Sequence, residues 1–182
     1  MLALLLAVAV PSPSPSTEVE AALRAHRLEC NPSWPRSCFD LARRYEDGRG
    51  VKRSDAVSRA FLQLACDGDD GRACQELGGR YLSGRGVARD PERAIALYAK
   101  ACHAGIGHAC GSAAALLERD GPLRDLRRAA QLHDLACRRG VSLSCLHLAE
   151  LLEQGGAVPA DPARAGELRR RACNLGREEA CR

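Results

Sequence analysis

ACQELGGRYLSGRGVARDPERAIALYAKACHAGIGHAC, residues 73–110, reads as two helices with a short break between them. In the first half Ala73, Leu77 and Tyr81 fall on one face at helical spacing, with Cys74, Gly78 and Leu82 beside them. Ser83-Gly84-Arg85-Gly86-Val87 then stops the helix, its glycines free to take the positive φ that a helix end requires. Asp90 is a capping residue, Pro91 fits the first turn, and Ala94, Leu97, Tyr98, Ala101 and Cys102 form the apolar face of a second helix.

The same grammar recurs on both sides. The cysteines Cys30, Cys38, Cys66, Cys74, Cys102, Cys110, Cys137, Cys145, Cys173 and Cys181 are separated by 8, 28, 8, 28, 8, 27, 8, 28 and 8 positions. The pattern therefore returns every 36, 36, 35 and 36 residues, a period that marks a solenoid. Ser54, Asp125 and Asp161 stand where Asp90 stands, and Pro162 matches Pro91. Leu41, Ala113 and Leu148 match Leu77, while Ala42, Ala114 and Ala149 match Gly78, so small residues recur where two helices must approach closely. The connector is Asp47-Gly48-Arg49-Gly50-Val51 in the first unit, Asp120-Gly121-Pro122-Leu123 in the shorter third and Gly155-Gly156-Ala157-Val158 in the fourth. A phosphate-cradling loop would need a preceding strand and a Gly-Lys-Ser/Thr or a third glycine, and these connectors have neither.

Composition agrees with helices. Hydrophobic residues make up 46% of the 182, aromatics only 3%, and Ala and Leu supply the apolar content. Ten cysteines are expected where thiols oxidise. Leu2 to Val10 is an apolar run too short to span a bilayer, and Ala7-Val8-Ala9 is like a signal-peptidase site, although no Lys or Arg precedes it. Residues 1–9 are read as an export signal, 10–17 as a Pro/Ser linker and 18–30 as a capping helix. Residues 31–182 hold four αα repeats (38–66, 74–102, 110–137 and 145–173) with a truncated C-terminal end. The expected location is secreted or periplasmic, with no membrane span.

These units resemble Sel-one-like repeats, relatives of the tetratricopeptide repeat, and the paired cysteines resemble the helicobacter cysteine-rich protein subgroup. The resemblance covers about residues 30–181 and is weakest at Gly111–Leu126. It implies an all-α solenoid of αα-hairpins in a right-handed superhelix, one bridge per repeat, and usually export. Its members bind proteins or peptidoglycan-related ligands, and some are β-lactamase-like or penicillin-binding.

Cysteines eight apart in one continuous helix would lie about 12 Å apart, beyond the roughly 7 Å that a bridge tolerates between Cα atoms, so a turn must intervene. Cys102 to Cys110 contains it, one helix ending near Gly105 and the next beginning near His108. The rival pairing, 28 apart, strands Cys30 and Cys181, whereas Cys30–Cys38, Cys66–Cys74, Cys102–Cys110, Cys137–Cys145 and Cys173–Cys181 uses all ten. Zinc sites bring together pairs such as CxxC, which this spacing does not match, and His103 and His108 read as solvated loop. No metal and no cofactor is expected.

Catalysis finds no support in the motifs. Lys52 and Lys100 are the only lysines and neither has Ser three positions before it; SDN, KTG, GxSxG and HExxH are all missing. Glu76, Glu118 and Glu150 have no pairing that argues for acid–base work. A net charge of +4, from 27 Lys+Arg against 23 Asp+Glu, is well mixed. Tyr45, Phe61, Tyr81 and Tyr98 are expected in the core, which leaves no stacking platform for nucleic acid. Trp34, between Pro32 and Pro35, is expected to pack over the first bridged turn.

The expected function is that of a binding scaffold for a protein, a peptide or a cell-envelope polymer, with a β-lactamase-like hydrolase as the alternative. In related repeats the first helices line the concave side. Carried over by position, that face presents Asp40, Glu76, Ser112 and His147 in a row with Arg43, Arg44, Arg80 and Glu150 alongside, all read as outward-facing. The helix before Cys30 is read as covering one end of the stack.

Overall fold

The computed structural model describes residues 14–31 and 33–181, and among these it contains nine α-helices and no strand. They are α1 (Pro15–Ala25), α2 (Pro35–Asp47), α3 (Asp55–Asp67), α4 (Gly71–Ser83), α5 (Pro91–His103), α6 (Gly107–Glu118), α7 (Leu126–Arg138), α8 (Ser142–Gln154) and α9 (Pro162–Asn174), followed by a 3-10 turn, Glu178–Cys181. The export signal read at residues 1–9 lies outside the described residues.

Four helical hairpins, α2/α3, α4/α5, α6/α7 and α8/α9, stack in chain order, each packing on the next. The fold is the expected all-α repeat solenoid. Each second helix begins the same way: Ser54, Asp90, Asp125 and Asp161 accept from the backbone N–H of Val57, Arg93, Arg128 and Arg164. Each such cap contributes about 1 kcal/mol. The backbone N–H of the capping residue also closes the connector, donating to Tyr45 O, Tyr81 O, Leu117 O and Leu152 O at 2.8–3.0 Å. The third connector reaches back eight positions rather than nine, which absorbs the missing residue of that repeat. Gly48 and Gly84 end α2 and α4 at φ 72° and 79°, as the connector reading required.

At the corners between hairpins, all five cysteine pairs are joined eight apart, with Cα atoms 4.7 Å apart in four and 5.0 Å in the fifth. Gly105, Gly140 and Gly176 turn these corners at φ 86–99°, and Asp69 holds the equivalent place at φ 66°. Successive corners touch: the Arg139 guanidinium donates to Cys102 O at 2.7 Å.

Small side chains let the layers close. Ala42, Ala114 and Ala149 are fully buried, as is Gly78. The apolar core forms two clusters that meet at α7: Ala129, Leu132 and Ala136 belong to the one reaching back to Ala22, Ala130 and Cys137 to the one running on to Ala180.

Three expectations need correction. The N-terminal helix starts at Pro15, not residue 18, because Ser14 caps it and Pro15 suits its first turn; it ends at Ala25, and a turn leads to Cys30. Part of the supposed linker is thus helical. The helix packs on α3, with His26 donating or accepting at Tyr45 Oη, 3.1 Å away. Trp34 is exposed, since it is the N-cap of α2 and stands outside that helix's periodic face. Among the four aromatics placed in the core, Phe61 and Tyr98 are buried whereas Tyr45 and Tyr81 are half-buried.

Candidate binding face

The 36-residue period puts Asp40, Arg43 and Arg44 of α2 beside Glu76 and Arg80 of α4. Arg43 Nη1 is 2.7 Å from Glu46 and 3.8 Å from Glu76 Oε2, so the two first helices are laced across their common groove. Two open hollows lie here and share Arg43. One, of about 450 Å³, is lined by Asp40, Arg43, Arg44 and Arg49. The other, of about 340 Å³, is lined by Glu46, Glu76, Gly79, Arg80, Ser83 and Arg85 as well as Arg43. The first is cationic, three guanidiniums against one carboxylate. Arg44 leans toward Glu29 at 3.7 Å and Arg49 toward Asp47 at 2.9 Å, exposed contacts that a ligand could replace at small cost.

The rest of the expected row behaves differently. Arg80 does not face outward: its side chain is 4% exposed, and Nη2 donates to Glu76 at 2.9 Å and Ser58 Oγ at 3.1 Å and sits 3.3 Å from Glu46. Arg85 also pairs with Glu46. Arg80 is a cross-repeat tie and offers no charge to a ligand. Ser112 is half-buried and its hydroxyl donates to His108 O on its own helix. His147 is drawn to Glu118, and Glu150 lies on α8 next to it. Arg43 links Asp40 and Arg44 on α2 to Glu76 on α4, while Ser112 on α6 and His147 and Glu150 on α8 stand on the first helices of the next two repeats.

A hollow of about 470 Å³ between the third and fourth repeats is lined by Arg127, Asp134, Arg138, Leu148, Val158 and Arg164, among others. Its charges are largely satisfied within the protein, because Asp134 pairs with both Arg138 and Arg164.

The sequence reading missed a polar cluster. Glu118, at the end of α6, meets His133 Nε2 at 3.2 Å and His147 Nδ1 at 3.3 Å. The two imidazoles are stacked, centroids 5.1 Å apart. Burial works to raise the Glu118 pKa, but the close approach and charge of the two histidines outweigh it and hold the carboxyl at about 2. His147 is raised, chiefly by its bond to Glu118. The available signal was His133 itself, an imidazole at the core position that Leu62 and Tyr98 fill in the first two repeats. His103 and His108, the histidines weighed as ligands, are both exposed.

Comparison with known proteins follows the same repeat boundaries. Residues 35–70, 71–106, 109–141 and 142–176 each match the Sel1 repeat. Among solved structures, a protective antigen of uropathogenic Escherichia coli with an SLR fold superposes with TM-score 0.72 at 27% identity. That match covers 89% of this chain, which spans about a third (34%) of the antigen. A Sel1 repeat protein from Oxalobacter formigenes superposes with TM-score 0.66 at 22% identity over 92% of this chain and 67% of its own. The cysteine-rich protein B of Helicobacter pylori matches at 20% identity over 94% of this chain and 98% of its own, with TM-score 0.31. Curated proteins provide no match.

Proposed function

This chain belongs to the Sel1 repeat family, and from that premise we propose that it is an exported, non-catalytic scaffold whose α2/α4 face binds an acidic protein, peptide or cell-envelope polymer. The observation that carries this reading is the cationic hollow of Asp40, Arg43 and Arg44 on α2 and Arg49 in the connector that follows it, which shares Arg43 with the neighbouring α2/α4 hollow. A groove walled by one sign of charge accelerates encounter with oppositely charged partners and rejects like-charged ones. The five bridges suit an oxidising, extracytoplasmic compartment. Export would be directed by residues 1–9, with delivery to the periplasm or the medium. No observation favours the hydrolase alternative.

The test is capture from an envelope extract with the oxidised protein as bait, in parallel with the triple reversal Arg43→Glu, Arg44→Glu, Arg49→Glu. The reading expects an acidic partner that is retained by the wild type, eluted by moderate salt and lost by the variant. Equal retention by the variant would remove this face from consideration.

A further inference from the structure

We propose that Glu118, His133 and His147 form a binding site for a divalent transition metal of the zinc class that clamps the third repeat to the fourth. Imidazole and carboxylate together are the donor set such ions take, with bonds of about 2.0–2.1 Å. One ligand atom from each residue lies within 4.8 Å of the others. His133 Nε2 lies 3.2 Å from Glu118 Oε1 and His147 Nδ1 lies 3.3 Å from Oε2, each separation close to the edge of a zinc tetrahedron, about 3.3 Å for bonds of that length. A small turn of the carboxylate and approach of the two rings bring all three donors onto one ion.

A second observation points to a ligand. His133 is 2% exposed, yet neither of its ring nitrogens has an aligned hydrogen-bond partner, the approach of Glu118 to Nε2 being close but poorly directed. A buried polar group without a partner is costly, and a cation at Nε2 would supply one. Glu118 and His147 keep the cluster open to solvent, with side chains 20% and 35% exposed. An ion can therefore enter, and water can complete its coordination. Of the charges beyond the three ligands, Glu150 adds negative potential at His147 and Arg177 opposes it.

The location gives the site a consequence. Its ligands come from α6, α7 and α8, the helices on either side of the seam where the two apolar clusters meet. A solenoid is held by contacts between neighbouring repeats, and at this junction the Cys137–Cys145 bridge ties only the corner, so a metal bond farther along the helices stiffens the junction between its halves.

The experiment is zinc titration of the oxidised full chain, carrying no affinity-tag histidines, by calorimetry and by NMR of the imidazole nitrogens. The expected result is one zinc per chain, with signals of His133 and His147 shifting while those of His26, His103 and His108 stay. Glu118→Gln and His147→Ala, at partly exposed positions, should keep the helical circular dichroism. Each should weaken zinc binding by more than about tenfold, the smallest loss expected when only a residue that orients a ligand is removed. Zinc should raise the melting temperature of the wild type and not of the variants. Absence of zinc uptake, uptake unchanged in both variants, or shifts at the other histidines instead would overturn the proposal.

Discussion

Gly78 of α4 lies flat against the ring of Tyr98 on α5: a Cβ built on the glycine would stand 3.0 Å from both Cδ1 and Cε1. Its chain neighbour Gly79 would place a Cβ 3.5 Å from the Tyr98 hydroxyl, an ordinary contact. Replacing an interior helix glycine by alanine gains about 1 kcal/mol, whereas overfilling a packed core costs about 1–3 kcal/mol. Gly79→Ala should therefore raise the melting temperature and Gly78→Ala should lower it. Calorimetry of both variants checks this, and a similar rise in the two would mean that Tyr98 yields freely.

Arg80 and Arg44 occupy the same repeat position and should respond very differently to alanine. Arg80 is buried among Glu46, Glu76 and Ser58, so its removal strands carboxylates in a half-buried site and should cost about 3 kcal/mol. Arg44, with its single exposed contact to Glu29, should cost less than about 1 kcal/mol. Urea unfolding of Arg80→Ala and Arg44→Ala measures the difference; equal losses would contradict the burial of Arg80.

That contrast shows where the sequence is legible. Period, caps, corners and cysteine pairing involve residues close together in sequence and can be read along the chain. Burial of Arg80 depends on what the preceding repeat places beside it, Glu46 on α2 and Ser58 on α3, and Arg44 has no equivalent repeat before it. His133 escaped for the same reason, since its meaning comes from Glu118 and His147 on two other helices. Tertiary neighbours change what an identical position does, and positional carry-over is blind to them.

Acid should weaken the second hairpin through Asp70. This residue caps α4, accepting from the N–H of Arg72 and Ala73, and pairs with the Arg72 guanidinium at 2.7 Å. Burial works to raise its pKa, but the Arg72 side-chain bond, the Ala73 and Arg72 N–H groups and the Arg72 charge together carry it below the ordinary value. A carboxyl with a lowered folded pKa contributes stability above its unfolded pKa, about 3.9, and that contribution disappears as pH falls through the folded value. Asp70→Asn keeps a capping oxygen without the charge. Its urea midpoint should fall less than that of the wild type between pH 5 and pH 2; parallel falls would exclude Asp70 as a source of acid sensitivity.

Covalent clips at consecutive corners hold the hairpins in line. Each closes a short loop, for which chain entropy gives about 2–3 kcal/mol as an upper figure. Peptide mass spectrometry of the unreduced, thiol-blocked protein reads the linkage itself. It should find Cys30–Cys38, Cys66–Cys74, Cys102–Cys110, Cys137–Cys145 and Cys173–Cys181 and no blocked thiol. Links 28 apart, such as Cys38–Cys66 or Cys74–Cys102, or free thiols in the native protein, would contradict it.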